Sequence, residues 1–403
     1  MTALPAPFRE ALERAGVVEL AAELVRIPSH PGVVRQEEDV AHALADWLTQ
    51  RGLAPRLDEV RPGRPNLLCS VSGRSPGREL LFCGHTDTVP LNADDPGDGF
   101  SGAVRGGRLW GRGALDMKGA LAAMAGALVA LHETGALAAG RVTLAAVVDE
   151  EMQGLGAERL VAAGLVADGA VVGEPTANQI CLGHKGLEWL EIELTGRAAH
   201  GGTPQAGINA IVAAARFVAL VERELQLRLA ERAHALLGAP TINFGTVAGG
   251  DQPSTVAARC TLGVDRRSVP GESFATVAAE LEELLAAVRF EMPGLTTELR
   301  RHPQGIATLE HLAFVTPADH PLARAAAAAS RAERGVEPEL GAFPAWTDGG
   351  FLAGAGGVPT LVLGPGDLAL AHSPAESVPV AELEEAARLY AATALAFCGG
   401  GTA

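Results

Sequence analysis

Apolar positions recur at helical spacing over residues 18–27 and 40–48, and short apolar runs follow at residues 67–71 and 79–83. The first two patterns predict amphipathic helices and the next two predict strands. The periods then alternate: an Ala-rich helix over 119–131, a buried strand over 142–148, a helix over 156–163 and a strand over 169–172. Strands that alternate with helices predict an α/β domain with a mixed, largely parallel sheet covered by helices on both faces.

The pattern changes near Cys181. Residues 187–195 alternate apolar with polar side chains, as a strand does when one of its faces meets water, and a helical stretch follows over 209–229. Residues 242–247, 257–264 and the helix 273–288 complete a β-α-β-β-α order, with 296–300 available as a further strand. This predicts an inserted α+β, ferredoxin-like domain over residues 182–294. A helix over 321–334, a strand over 360–363 and a helix over 380–397 restore the earlier alternation. The larger domain is therefore expected to be discontinuous, built from residues 1–181 and 295–403.

Length and composition agree with that division. A chain of 403 residues exceeds the usual single core, and 48% apolar with 20% charged residues suits a globular protein. A net charge of −16 argues against nucleic acid and anionic lipid as partners, since both select for clustered Lys and Arg. The longest strongly apolar stretch, 120–131, is too short to cross a bilayer as a helix. Residues 1–10 lack the basic-then-apolar order of a secretory signal, so a cytoplasmic location is expected. Cys69, Cys83, Cys181, Cys260 and Cys398 form no CxxC pair and read as buried thiols in a reducing compartment.

Candidate chemistry collects where predicted strands end. His85 and Asp87 stand two apart beyond a strand, so an Asp87 carboxylate can fix the tautomer that offers the other His85 nitrogen to a metal. Asp116 sits between a glycine-rich loop and an apolar helix, where it either caps that helix or bridges two cations. Asp149, Glu150 and Glu151 are consecutive acids after a buried strand. They are either a solvated loop or a metal ligand with a general base beside it. Glu174 ends another strand, and His372 lies late in a loop that begins at Gly364. Two imidazoles and three acids, one of them shared, would give each of two zinc ions three protein ligands and leave room for water.

The strings GHTDTVP, GRGALDMKG, VVDEE, GEPT followed by GHKG, and LGPG followed by AHSP, in this order, resemble the M20 family of metallopeptidases and deacylases. The likeness covers nearly the whole chain and is nearest to the acetylornithine deacetylase and succinyl-diaminopimelate desuccinylase branch. The resemblance implies that His85, Asp116 and Glu174 hold one zinc and that Asp116, Glu151 and His372 hold the other, with cobalt or manganese as substitutes. It implies that Asp87 orients His85 and that Glu150 takes a proton from water and returns it to the leaving amine. It also implies a cis peptide after Asp116. His200 would reach the partner subunit's centre of a homodimer as an oxyanion donor, and Arg267 would meet a substrate carboxylate. The loop at Gly364 and Gly366 either offers backbone N–H groups to the same substrate or is a plain turn.

The sequence departs from the family at Ser254, where many relatives carry asparagine, and at Trp346, where a smaller residue is common. Both departures fall near the expected substrate pocket. The expected activity is hydrolysis of a small N-acyl amino acid with a free carboxylate, acetylornithine-type deacylation first. Dipeptidase or carboxypeptidase action is the nearest alternative, and a silent metal- or amino-acid-binding relative is a third. The retention of Glu150 beside Glu151 speaks against the third.

Overall fold

A computed structural model describes residues 3–95, 97–164, 166–303, 305 and 310–399. The chain divides into two compact units, Met1–His184 with Val315–Ala403, and Lys185–Phe314.

The sheet of the first unit runs in the order Arg56–Arg61, Arg64–Ser72, Ala139–Val147, Ser75–His85, Gly169–Val172, Thr360–Val362, Ile180–His184, Phe314–Val315. Leu340–Phe343 adds to Ile180–His184. The four strands from Ala139–Val147 to Thr360–Val362 are parallel, and the pairs towards Arg56–Arg61 are antiparallel. Side chains alternate across this sheet. Leu81, Cys83, Ala145, Val147, Ala170 and Val172 pack with Leu160 and Leu352 on one face. On the other, Phe82 meets Tyr390 of the helix Val380–Gly399 with ring centroids 5.4 Å apart. The central strands read as nearly unbroken apolar runs because neither face meets water.

The helix Lys118–Thr134 is buried from Lys118 to Leu131, and its alanines let neighbours approach closely. A Cβ at Gly126 would stand 2.5 Å from Val17 Cγ2. Val17–Val25 matches the first expected helix, while Ala6–Ala15, just beyond Pro5, was not foreseen.

In the second unit, strands order as Thr241–Gly249, Arg259–Ser268, Gly186–Thr195, Thr296–Arg301, every pair antiparallel. With its helices this is the β-α-β-β-α-β order of the ferredoxin-like fold. The helix Phe274–Glu291 starts where Ser273 and Thr276 each cap the other's backbone N–H. Asn209 accepts from the N–H groups of Ile211 and Val212 to start the other helix, which widens into a π-type turn at Val221–Leu225. Leu190, Ile192, Leu194, Leu262 and Val264 meet Phe217, Leu281 and Leu285 under these helices.

The unit's limits differ from the expected 182–294. Ile180–His184 pairs with Thr360–Val362 and Leu340–Phe343, so residues 182–184 belong to the first sheet. Thr296–Arg301 pairs with Gly186–Thr195, which carries the second unit past residue 294 to Phe314.

Candidate metal centre

Parallel register brings the strand ends to one edge. His85 pairs with Val147, and Cys83 pairs with Val172, so the residues just beyond Val147 and Val172 emerge beside His85. Ligands of α/β sheets collect at such carboxyl ends. Gly84 packs against the segment that carries Asp116: a Cβ added there would lie 2.5 Å from Met117 Cε.

Three loops complete the edge. The small sheet of Ala103–Arg105, Arg108–Trp110 and Ser377–Pro379 holds residues 111–117 against residues 372–376. The Asp116–Met117 peptide is cis, and His372 has φ +56°. A non-glycine residue in this left-handed region is uncommon and recurs at functional sites. Asp149 is likewise left-handed, φ +72°, where the chain turns from the strand into Glu150 and Glu151.

Among the described residues, two groups can hold a metal: His85, Asp116 and Glu174, and Asp116, Glu151 and His372. Within each, one donor atom per residue lies within 4.8 Å of the others. The carboxylate of Asp116 divides between them. Its Oδ1 lies 3.0 Å from His85 Nε2 and its Oδ2 3.1 Å from His372 Nε2. Glu174 Oε1 is 3.7 Å from His85 Nε2, and Glu151 Oε1 is 3.1 Å from His372 Nε2. Two donors on one tetrahedral cation at about 2.1 Å would stand roughly 3.4 Å apart, so both groups suit a divalent ion with mixed N and O ligands.

The electrostatics point the same way. Burial, then the charge of Asp116, pushes the Glu174 carboxyl well above the usual range, and its Oε1 has no hydrogen-bond partner. Burial, then the charge of Glu174, does the same to Glu150. Burial also lifts Asp87 to about 7 and Asp348 to about 8. Against its own burial, Asp116 is held below the usual carboxylate range by His372 and His85. The bonds to Asp116 and Glu151 carry His372 up to about 10. Crowded acids of this kind are stabilised by an added cation.

Asp87 does more than expected, and differently. His85 Nδ1 lies 3.0 Å from the Asp87 carbonyl and 3.6 Å from its carboxylate. The carboxylate instead accepts from the Glu150 N–H at 3.2 Å and the Glu151 N–H at 3.0 Å. It therefore aims the two acids, while the carbonyl of the same residue meets the imidazole.

The glycine loop is corrected. The Gly364 N–H goes to Thr176 Oγ1 at 3.1 Å and the Gly366 N–H to Glu382 Oε2 at 2.8 Å, so neither is available to a substrate. A Cβ at Gly364 would stand 2.1 Å from the Gly173 carbonyl, which makes this glycine the seat of the segment that carries Glu174. Trp346 is buried with its ring 5.0 Å from Phe351 and 6.1 Å from His184.

His200 and Arg267 lie in the second unit. His200 is exposed, and its Nδ1 accepts from the Gly202 N–H at 3.0 Å, which leaves the proton of a neutral ring on Nε2 as a donor. Gly201 donates to the Ser254 carbonyl at 2.7 Å, so the departure at Ser254 borders the His200 loop. The Arg267 guanidinium forms a forked pair with Asp265 at 2.7 and 2.9 Å, and Trp189 Nε1 donates to the same carboxylate at 3.1 Å.

Residues not singled out from sequence include Asp348, whose buried Oδ1 has no hydrogen-bond partner, and Glu376, buried four positions after His372. The acid in Thr347-Asp348-Gly349-Gly350, after a helix-and-strand alternation, was the available signal for the first.

Residues 81–396 match peptidase family M20/M25/M40. The chain is 31% identical over 396 residues to an acetylornithine deacetylase of Proteus mirabilis, covering 94% of this chain and 96% of that one. It is 33% identical over 354 residues to an acetylornithine deacetylase of Myxococcus xanthus, at 85% and 87% coverage. Its fold is similar to the crystal structure of the aminopeptidase PepT from Bacillus cereus, with a TM-score of 0.79, 23% identity, and coverage of 96% and 98%.

Proposed function

The chain belongs to peptidase family M20/M25/M40, and on that premise we propose that this hydrolase is a di-zinc enzyme removing the acyl group from a small N-acyl amino acid, acetylornithine-type substrates first. The observation that carries the reading is the divided carboxylate of Asp116, with Glu150 next to a member of one donor group. His85, Asp116 and Glu174 would hold one cation, and Asp116, Glu151 and His372 the other. When bound, the cation pair supplies Lewis-acid chemistry that lowers the pKa of water and polarises an amide carbonyl.

The protein's own groups do the rest. Glu150, aimed by Asp87, takes the proton of the attacking water and delivers it to the leaving amine. Arg267 receives the substrate carboxylate, which displaces Asp265 from the guanidinium fork. His200 donates Nε2–H to the oxyanion at the partner subunit's centre of a homodimer. The edge strand Thr241–Gly249 supports that assembly: Val247 is 69% exposed and lines one shallow hollow with exposed Ile211. Apolar edges of this kind call for cover, and a twofold pair supplies it. The five cysteines, all free and buried, favour a reducing cytoplasmic setting. Among the described residues no helix is long and apolar enough to cross a membrane.

The test is turnover of N-acetyl, N-succinyl and N-formyl amino acids and dipeptides by the purified chain with zinc or cobalt. Cleavage of α-N-acetyl amino acids, abolished by a chelator, is the expected result. Turnover confined to dipeptides would make it a peptidase, and none at all with both metals bound would make it a silent relative. For the dimer, mixing equal amounts of His200→Ala and Glu150→Gln chains should restore activity towards about a quarter of the native level, because half of the dimers are hybrids and each hybrid holds one intact site of two.

A further inference from the structure

Asp116 and His372 are joined by a ring of polar contacts, buried at Glu376 and Arg112 and exposed at Asn92, to which the mechanism above assigns nothing. Glu376 Oε1 accepts from the Gly113 N–H at 2.7 Å and from the N–H groups of Leu115 and Asp116 at 3.4 Å each. Its Oε2 pairs with Arg112 Nη1 at 2.5 Å, and its carbonyl accepts from the Gly111 N–H at 3.2 Å. Arg112 reaches the other way to Asp95 Oδ2 at 2.7 Å. Asp95 accepts from the Asn92 N–H at 2.7 Å, and Asn92 Nδ2 donates to the His372 carbonyl at 2.9 Å. The path thus leaves the backbone of Asp116 and returns to the backbone of His372.

Two features favour a positioning role over a purely stabilising one. A buried ion pair gives little net stability against an apolar replacement, whereas it can fix a register. Here three N–H groups of one turn converge on a single carboxylate oxygen, and that turn ends at Asp116. His372 itself sits at φ +56°, a conformation that needs support from its surroundings. Asn92 meets the His372 carbonyl directly, and the Glu376 N–H donates to the carbonyl of the next residue, Ser373, at 3.2 Å.

We propose that Glu376, through Arg112, Asp95 and Asn92, is a positioning residue that sets the spacing of Asp116 and His372 and so selectively governs the Asp116–Glu151–His372 cation site. The inference rests on the two-cation reading. Asp116 serves both sites, so the larger effect falls on the one whose His372 hangs on the same path; His85 and Glu174 are held by other contacts, the Asp87 carbonyl and the seat at Gly364. Neither depends on Glu376.

The experiment is a calorimetric titration of the metal-free full-length chain with cobalt, with His372→Ala identifying the step that belongs to the His372 site. Glu376→Gln keeps an acceptor for the N–H groups but loses the charge facing Arg112, and Glu376→Ala loses both. That step should weaken about 10-fold in the first variant and towards 100-fold in the second, the range for groups that orient metal ligands. The other step, which shares Asp116 but not His372, should weaken several-fold less. Asn92→Ala, altering an exposed residue that donates to the His372 carbonyl, should weaken the same step several-fold. Equal weakening of both steps, or native affinity in these variants, overturns the proposal. If the Glu376 variants do not fold, an unchanged step in Asn92→Ala overturns it alone. Fewer than two equivalents bound by the unaltered chain would count instead against the two-cation reading.

Discussion

In the second unit Arg266 is fully buried, yet it meets Glu272 at 3.0 Å and Glu280 at 3.6 Å, and buried Glu188 meets Arg301 at 3.1 Å. In the first unit Asp87, Asp116, Glu174 and Asp348 are buried together around His85. Lys118, buried near enough to feel the charge of Asp87, donates its Nζ to the Ile27 carbonyl instead. Buried charge costs free energy unless it is paired. A set that is balanced by its own side chains holds a fold, whereas a set whose acids outnumber its imidazoles calls for cations from outside. Sequence composition does not separate the two kinds, since both units are rich in Glu and Arg. Geometry does.

Removing one acid from the unbalanced set without removing a ligand is the sharpest way to test this contrast. Glu150→Gln should lower turnover by about 10²–10⁴-fold while metal content, read by elemental analysis, stays at the native level. Loss of metal along with activity would make Glu150 a ligand. In the balanced set the effect should fall on stability instead: Arg266→Met leaves Glu272 and Glu280 with Arg232 as their remaining cation and should cost somewhat less than the about 3–5 kcal/mol of a fully broken buried pair, read from urea unfolding. Native stability in that variant would remove the distinction between the units.

A smaller effect comes from a buried neutral group. Burial lowers the pKa of His311, in the second unit, to about 4, while its Nδ1 meets the Leu187 carbonyl at 3.0 Å. The unfolded chain binds this proton first, near pH 6.5, so its contribution is intact above that pH and is lost as pH falls towards 4. The loss is about 3 kcal/mol from a shift of this size. His311→Gln should flatten the stability profile between those pH values, and an unchanged slope would assign it to other groups.

The strand ends were legible because each candidate residue stands beside a local apolar run: His85 after residues 79–83, Glu174 after Gly169–Val172. Their convergence follows from parallel register, which alternation of strands and helices already implies. Strands that are short or strongly polar were not legible. Arg56–Arg61 is too polar to show an apolar face, and Ile180–His184 and Leu340–Phe343 are too short to show a period. That is also why the domain limit at 182 fell within a strand. Contacts closed by tertiary structure left no local trace. The Gly364 N–H is taken by Thr176, 188 positions away, and Glu376 reaches Asp116 across 260 positions. GHTDTVP shows Asp87 as a partner for an imidazole, and nothing in it shows that the backbone of Glu150 and Glu151 lies against its carboxylate.

Anomalous diffraction at the zinc edge, from crystals grown with zinc, asks directly whether the unbalanced acids are completed by two cations. Two peaks should flank the Asp116 carboxylate, one bounded by His85 and Glu174 and the other by Glu151 and His372. A single peak, or peaks away from Asp116, would contradict the reading of that carboxylate as a bridge.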